Sequence, residues 1–198
     1  HQCQHCQEQP PDFERAWTLF PYLPPLRDAI CSFKYRGKLT LARPLAQLML
    51  NALPHGLDAD VIIPVPLHPA RLRTREFNQS LLLADQLGRH LSRPVSAANL
   101  VRTAATDPQT ALSRQARLRN LRNAFTIRRP QDLAGKRILL VDDVFTTGTT
   151  VNECAKTLRK AGSGPVFALT LARTVETDLV PDRLFTEQTG RPLTTLGI

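Results

Sequence analysis

At 198 residues the chain has room for one domain with a substantial hydrophobic core and a small appendage, but not for two full domains. Its hydrophobic share of 42% and charged share of 22% are those of an ordinary globular protein, and no apolar run reaches the roughly 18 residues that a bilayer requires, so membrane insertion is not expected. The net charge of +9 is concentrated: from Arg71 to Arg129 there are twelve arginines, no lysine, and only Glu76, Asp85 and Asp107 as acids, so this stretch alone carries the formal excess. Arginine is favoured over lysine where phosphate or carboxylate is gripped through two oxygens, so a polyphosphorylated partner, nucleic acid or small molecule, is set against a merely solvated basic face.

In chain order, residues 1 to 12 are polar, carry Cys3 and Cys6, and end in the proline break "QPPD". No secretory leader follows His1, which predicts a cytoplasmic protein, and a start at "HQCQHC" reads as a fragment. Residues 16 to 37 mix aromatics with prolines and predict a packed, irregular extension containing one short helix, about Leu26 to Phe33. Thr40 is expected to cap a helix running to about Leu53, with Pro44 tolerated in its first turn. "DVIIPVPLHP", residues 60 to 69, predicts a short central strand closed by prolines. Asn78 then caps a helix whose Leu81, Leu82, Ala84, Leu87 and Leu91 share one face.

A weaker strand, Asn99 to Arg102, precedes a polar loop and a basic helix from about Ala111, and Ala124 to Ile127 predicts another short strand. "KRILLV" is the strongest strand signal in the chain. It is followed by a helix over 150 to 161, ended by Gly162, and by a strand over 165 to 173. Strands alternating with helices of this length predict an α/β fold built on an open parallel sheet with helices on both faces.

The most informative stretch is "ILLVDDVFTTGTTV", residues 138 to 151. In an open parallel sheet, ligands bind beyond the carboxyl ends of strands, and here such an end carries Asp142 and Asp143. Small and hydroxyl-bearing residues then run straight into a helix start, whose free N–H groups and partial positive charge suit an anion. Gly148 lets the backbone approach closely. The stretch thus pairs a cradle for phosphate with carboxylates for hydroxyls or for the water shell of a metal, as a phosphorylated sugar demands. A tight turn with a capping aspartate would use the same residues. No G-x-x-x-x-G-K-[ST] occurs, so an ordinary P-loop is not the explanation.

"ILLVDDVFTTGTTV" resembles the ribose-phosphate motif of type I phosphoribosyltransferases. "PVPLHPARLRTREFNQSLLLA" and "QTALSRQARLRNLRNAF" further resemble the ComF/GntX family, the competence protein F-like branch, over roughly residues 15 to 174. The resemblance implies the type I phosphoribosyltransferase sheet with a small irregular N-terminal hood, and three parts: a remnant zinc module over 1 to 12, the main domain over 13 to 174, and a tail over 175 to 198. It implies that Asp142 and Asp143 bind the ribose hydroxyls of phosphoribosyl pyrophosphate (PRPP) and take part in catalysis, and that Thr146, Thr147, Gly148, Thr149 and Thr150 hold its 5′-phosphate. Pro66, Leu67 and His68 would meet the pyrophosphate, with Arg71, Arg73, Arg75, Arg117 and Arg119 around the leaving group. Thr103 to Gln115 would form a lid, with Gln109, Arg117, Arg119 and Asn120 as its working residues.

Magnesium would accompany PRPP, held mostly through substrate oxygens and water. The family's amino-terminal four-cysteine module suggests zinc at Cys3 and Cys6, with His1 or His5 as substitutes, since one C-x-x-C alone lacks the four ligands of a structural site. Cys154 fits the apolar face of its helix. His68 is either an acid–base group or filler, and Trp17, Phe33 and Tyr35 are expected in the core rather than stacking on a base. One departure stands out: where the family has "RGFNQ", this chain has "REFNQ", placing Glu76 where glycine would permit positive φ. Two functions remain open, transfer of phosphoribose to an unidentified acceptor, with a link to DNA uptake through competence proteins, and non-catalytic sensing of PRPP or binding of single-stranded DNA.

Overall fold

The computed structural model describes residues 10–103 and 124–175. Its main sheet is parallel and four-stranded, in the order β1 (Arg15–Pro21), β6 (Val166–Arg173), β5 (Ile138–Phe145), β2 (Val61–Pro64). α1 (Leu26–Tyr35) and α2 (Ala42–Asn51) connect β1 to β2; α3 (Pro69–Arg75) and α4 (Gln79–Leu91) follow β2; α5 (Thr149–Lys160) joins β5 to β6. β3 (Leu100–Arg102) and β4 (Phe125–Ile127) form a separate antiparallel pair. They are therefore not members of the parallel sheet.

Each face of the sheet has its own core. Ile30, Phe33, Leu45, Met49, Leu83 and Leu87 from α1, α2 and α4 pack on Trp17, Ile62, Leu139 and Leu169. On the other face, Val151, Cys154, Ala155 and Leu158 of α5 pack with Leu100 and Phe125 on Ile63, Ile138, Leu140 and Ala168. Alternate residues of β5 thus enter opposite cores, which is why a strand covered on both faces reads as a continuous apolar run. The spacing of the buried residues in α5, three, four and seven apart, is the 3.6-residue period expressed as burial.

Three expectations are corrected. Residues 15–21 are not irregular: they form the edge strand β1, hydrogen-bonded along β6. β2 is not central but last in the sheet. It is buried because α4 covers it and because Ile62 exchanges hydrogen bonds with Pro94 and Ser96 (2.9 Å each), which close its outer edge. Thr40 caps nothing. It lies in a 3-10 turn, Leu39–Leu41, and α2 starts after Leu41 without a side-chain cap.

The feature that positions the site is where the connections leave. After β2 the chain enters α4 on one face, whereas after its neighbour β5 it enters α5 on the other. Adjacent strands whose helices depart in opposite directions leave a crevice beyond their carboxyl ends. β5 also overhangs its partner, since Pro64, the last residue of β2, lies opposite Val141. At the other end, Arg137 grips Asp60 through Nε (3.1 Å) and Nη2 (2.8 Å), fixing the register of the pair and lowering the Asp60 carboxyl to about 2.

Candidate functional site

Asp142 and Asp143 lie within β5, not beyond it, on the part that overhangs β2. Successive residues of a strand face opposite ways, so the two carboxylates meet different partners. Asp142 Oδ1 accepts from Ser80 Oγ at 2.8 Å and from the N–H of Asp143 at 2.9 Å. Asp143 is 6% exposed, and its Oδ1 receives Lys34 Nζ from α1 at 2.9 Å. Loss of hydration and then the neighbouring charge of Asp143 push the Asp142 carboxyl up to about 7, against the opposing pull of Lys34 and Ser80. Two adjacent carboxyls in a poorly hydrated crevice do not both ionise freely.

The following loop turns on Gly148, at φ +76, which precedes the first turn of α5. A Cβ there would stand 2.5 Å from Cζ of Phe145. The glycine is thus required twice, for its left-handed backbone and for the ring beneath it. Thr147 and Thr149 hydroxyls meet at 2.8 Å, while Thr146 is exposed and Thr150 partly so. The first-turn N–H groups of α5, which have no acceptor inside the helix, face the same end of the sheet as the carboxylates.

On the β2 side, Val65 donates its N–H to Val141 at 2.9 Å, and Asn78 Nδ2 donates to Val65 O at 3.1 Å. Asn78 Oδ1 also caps α4 through the N–H of Ser80 at 3.0 Å, as its position predicts. Pro66, Leu67 and His68 form the partly buried loop between them, and His68 Nδ1 accepts the N–H of Ala70, starting α3. That short helix carries the arginines apart. Arg75 lies over the ring of Tyr35, 4.6 Å from its centre; Arg73 is exposed; and Arg71 is close enough for its charge to add to burial in lowering the pKa of Arg102.

The basic stretch is consequently not one surface. Arg93 pairs with Asp58 at 3.6 Å and Arg129 with Asp132 at 3.2 Å. Arg89 lies nine residues beyond Ser80 on α4, about 14 Å along the axis, lining a cleft of about 290 Å³ with Arg43 and His90. Of the residues proposed from sequence, Asp142, Asp143, Thr146 to Thr150, Pro66 to His68, Arg71 and Arg75 come to one end of the sheet. The residues expected in a lid, Gln109, Arg117, Arg119 and Asn120, and those expected near zinc, Cys3, Cys6, His1 and His5, lie outside the described residues, as do most of the expected tail and most of residues 1 to 12. Thr103 and Ala124, the described residues on either side of positions 104–123, are held together by the pairing of β3 with β4 and by Thr103 N–H to Ala124 O at 2.9 Å.

Glu76 adopts φ +66 at the end of α3, its N–H bonded to Leu72 O at 2.7 Å. The left-handed turn that glycine would ease is therefore made by glutamate. Tyr35 corrects a further expectation. Trp17 and Phe33 are core residues, but Tyr35 is 71% exposed. Sequence reasoning missed Lys34 and Ser80. Lys34 falls on the buried side of α1, four residues after Ile30, and a lysine on an apolar face was the available signal. Two buried polar atoms, Thr170 Oγ1, cross-strand from Asp142, and Gln79 Nε2, beside Ser80 in sequence, have no hydrogen-bond partner among the described residues.

Residues 78–189 match the family model for the phosphoribosyl transferase domain. The chain is 38% identical over 179 residues to the DNA utilization protein YhgH of Escherichia coli strain K12, covering 87% of this chain and 78% of that protein. It is 36% identical over 178 residues to competence protein F of Haemophilus influenzae, covering 86% and 78%. Among solved structures, orotate phosphoribosyltransferase from Aeropyrum pernix is similar at 21% identity, with a TM-score of 0.43 over 70% of this chain and 63% of that one.

Proposed function

Because this chain belongs to the phosphoribosyl transferase domain family, in the branch of competence protein F and its relatives, we propose that it binds PRPP in the crevice between β5 and β2 and transfers the phosphoribosyl group to an acceptor with release of pyrophosphate. The observation that carries this reading is the continuity of Asp142–Asp143 with the Gly148 turn and the start of α5, which puts hydroxyl acceptors and an anion cradle on one short segment. The 5′-phosphate sits against Thr146 to Thr150. The ribose hydroxyls donate to Asp142 and Asp143, and the pyrophosphate lies toward Pro66–His68 with Arg71 and Arg75 nearby.

The chain's contribution to chemistry is electrostatic. As the bond from C1′ to pyrophosphate breaks, positive charge grows on the sugar and negative charge on the leaving group; the carboxylates favour the first and the arginines the second. The donor set fits magnesium brought in by the ligand. Two adjacent carboxylates supply hard oxygens, and no cluster of three or more His, Cys, Asp or Glu suited to a metal occurs among the described residues, so the ion would be held mainly by ligand oxygens and water. When bound, it would neutralise part of the pyrophosphate charge.

The names of the relatives, a DNA utilization protein and a competence protein, support a cellular setting in DNA utilisation or competence, and we propose single-stranded DNA as a second partner. No helix among the described residues is long and apolar enough to cross a membrane. Calorimetric titration of the wild type and of Asp142→Asn/Asp143→Asn with PRPP and magnesium tests the main reading: saturable binding is expected in the first and a large loss in the second. A wild type that does not bind PRPP sinks it. If PRPP binds but no base or nucleoside releases pyrophosphate, the protein is a sensor rather than a transferase. Binding to DNA, measured separately, should fall steeply with salt.

A further inference from the structure

We propose that Lys34 is a positioning residue for the sugar: its ion pair with Asp143 fixes the orientation of that carboxylate, so that the acid pair presents an acceptor to a ribose hydroxyl, and it thereby couples the hood helix α1 to ligand binding. This inference rests on the phosphoribosyl reading above.

Lys34 lies where a lysine is costly. It shares the inner side of α1 with Ile30 and Phe33, both fully buried, and its own side chain is only 17% exposed. A buried ammonium is tolerated when a carboxylate meets it. Here Nζ stands 2.9 Å from Asp143 Oδ1, and among the described residues no other cation pairs with either carboxylate of the acidic couple. Oδ1 of Asp142 is already taken by Ser80 and by the backbone.

The chemistry of the sugar makes orientation matter. A ribose hydroxyl that donates a hydrogen bond needs a carboxyl oxygen aimed at it. The ammonium of Lys34, held at 2.9 Å from Oδ1 of Asp143, fixes how that carboxylate is turned. Without it, no ion pair among the described residues holds Asp143 in place.

The same helix reaches the other half of the crevice through its neighbours. Phe33 packs against Phe77, just ahead of α4, with ring centres 5.7 Å apart, and Tyr35 lies under Arg75 at the end of α3. Three consecutive residues of α1 therefore touch the acid strand, the start of α4 and the arginine helix. Tyr22, which precedes α1, bonds the sulfur of Cys31 at 3.3 Å, and its phenol is pushed up to about 12 by burial and by that contact, so it stays neutral beside the pair. Trp17, the single tryptophan, belongs to the same apolar cluster as Ile30 and Phe33 and serves as an internal reporter of how α1 is seated.

The test compares wild type, Lys34→Met and Lys34→Arg in titrations with PRPP and magnesium, with ribose 5-phosphate, and with inorganic phosphate, while Trp17 emission monitors the fold. In Lys34→Met the affinity for the two ribose-containing ligands falls about tenfold and that for inorganic phosphate is unchanged, as expected when one charge-assisted contact is lost. Lys34→Arg, which keeps the charge, restores ribose binding to within about threefold. Equal losses for phosphate and ribose ligands, or a Lys34→Met protein that binds PRPP within about twofold of wild type, overturn the role given to Lys34 and leave the phosphoribosyl reading standing. A wild type that binds neither PRPP nor ribose 5-phosphate overturns both.

Discussion

The loops that follow β5 and β2 make the same local demand and answer it differently. Each contains one residue in the left-handed region, Gly148 at φ +76 after β5 and Glu76 at φ +66 after α3. At Gly148 the demand is absolute, since a side chain would strike Phe145. At Glu76 it is only energetic: the residue is exposed, its side chain meets solvent, and the turn costs about 1–2 kcal/mol more than with glycine. A left-handed position thus marks a binding turn when close approach forbids a side chain, and a helix stop when it does not.

The sharpest way to break this comparison is Gly148→Ala. Left-handed strain and the clash with Phe145 together should cost about 2–4 kcal/mol, read as a lower urea midpoint, and phosphate binding should vanish. A protein that accepted alanine there with phosphate affinity intact would show that the turn is an ordinary one.

The next effect depends on pH. The folded-state carboxyl of Asp142 is raised to about 7 from an ordinary 3.8, so the folded protein binds the extra proton. Its contribution to stability is therefore full below about pH 4 and is lost as pH rises through about 7. Asp142→Asn removes that dependence, so its urea midpoint should gain on the wild type between pH 4.5 and pH 8. A constant difference across that range would mean that Asp142 is not held protonated by its surroundings.

On the β2 side the expected effects are smaller. Asn78→Ala loses both the cap of α4 and the bond to Val65 O, about 1–2 kcal/mol in thermal or urea unfolding. No loss would mean that Val65 is held by the sheet alone. Smallest is Glu76→Gly, where relief of the left-handed strain is partly offset by the greater freedom of glycine in the unfolded chain, leaving a gain of about 0.5 kcal/mol. Destabilisation instead would show that the glutamate side chain contributes a contact.

Much of the molecule follows from local pattern. The β5 run, the period of α5, the Asn78 cap and the Gly162 stop are all consequences of which conformations a few neighbouring residues prefer and which face they must bury, so they are legible in the sequence. The same holds for the juxtaposition of Asp142 and Asp143 with the threonine turn, because a strand end and the next helix start are bound to be adjacent.

What sequence leaves undecided is which distant elements meet. "RAWTLFP" becomes a strand because β6 offers it a free edge, while its closing proline and doubly apolar pattern hide the period of two. "VIIP" is equally apolar on both faces whether central or last, so burial alone cannot place it in the sheet. The arginines from 71 to 129 form one block in the chain, but the described ones reach separate surfaces once α4 carries Arg89 away from the crevice and acids outside the block claim Arg93 and Arg129. The ion pair of Lys34 with Asp143 joins the first helix to the last third of the described chain. Sequence by itself determined the local units and the chemistry each could offer, because propensity, capping and periodicity act over a few residues; only the tertiary structure decided the edge strands, the crevice and the cation set against its acid pair, because those depend on packing between segments far apart in the chain.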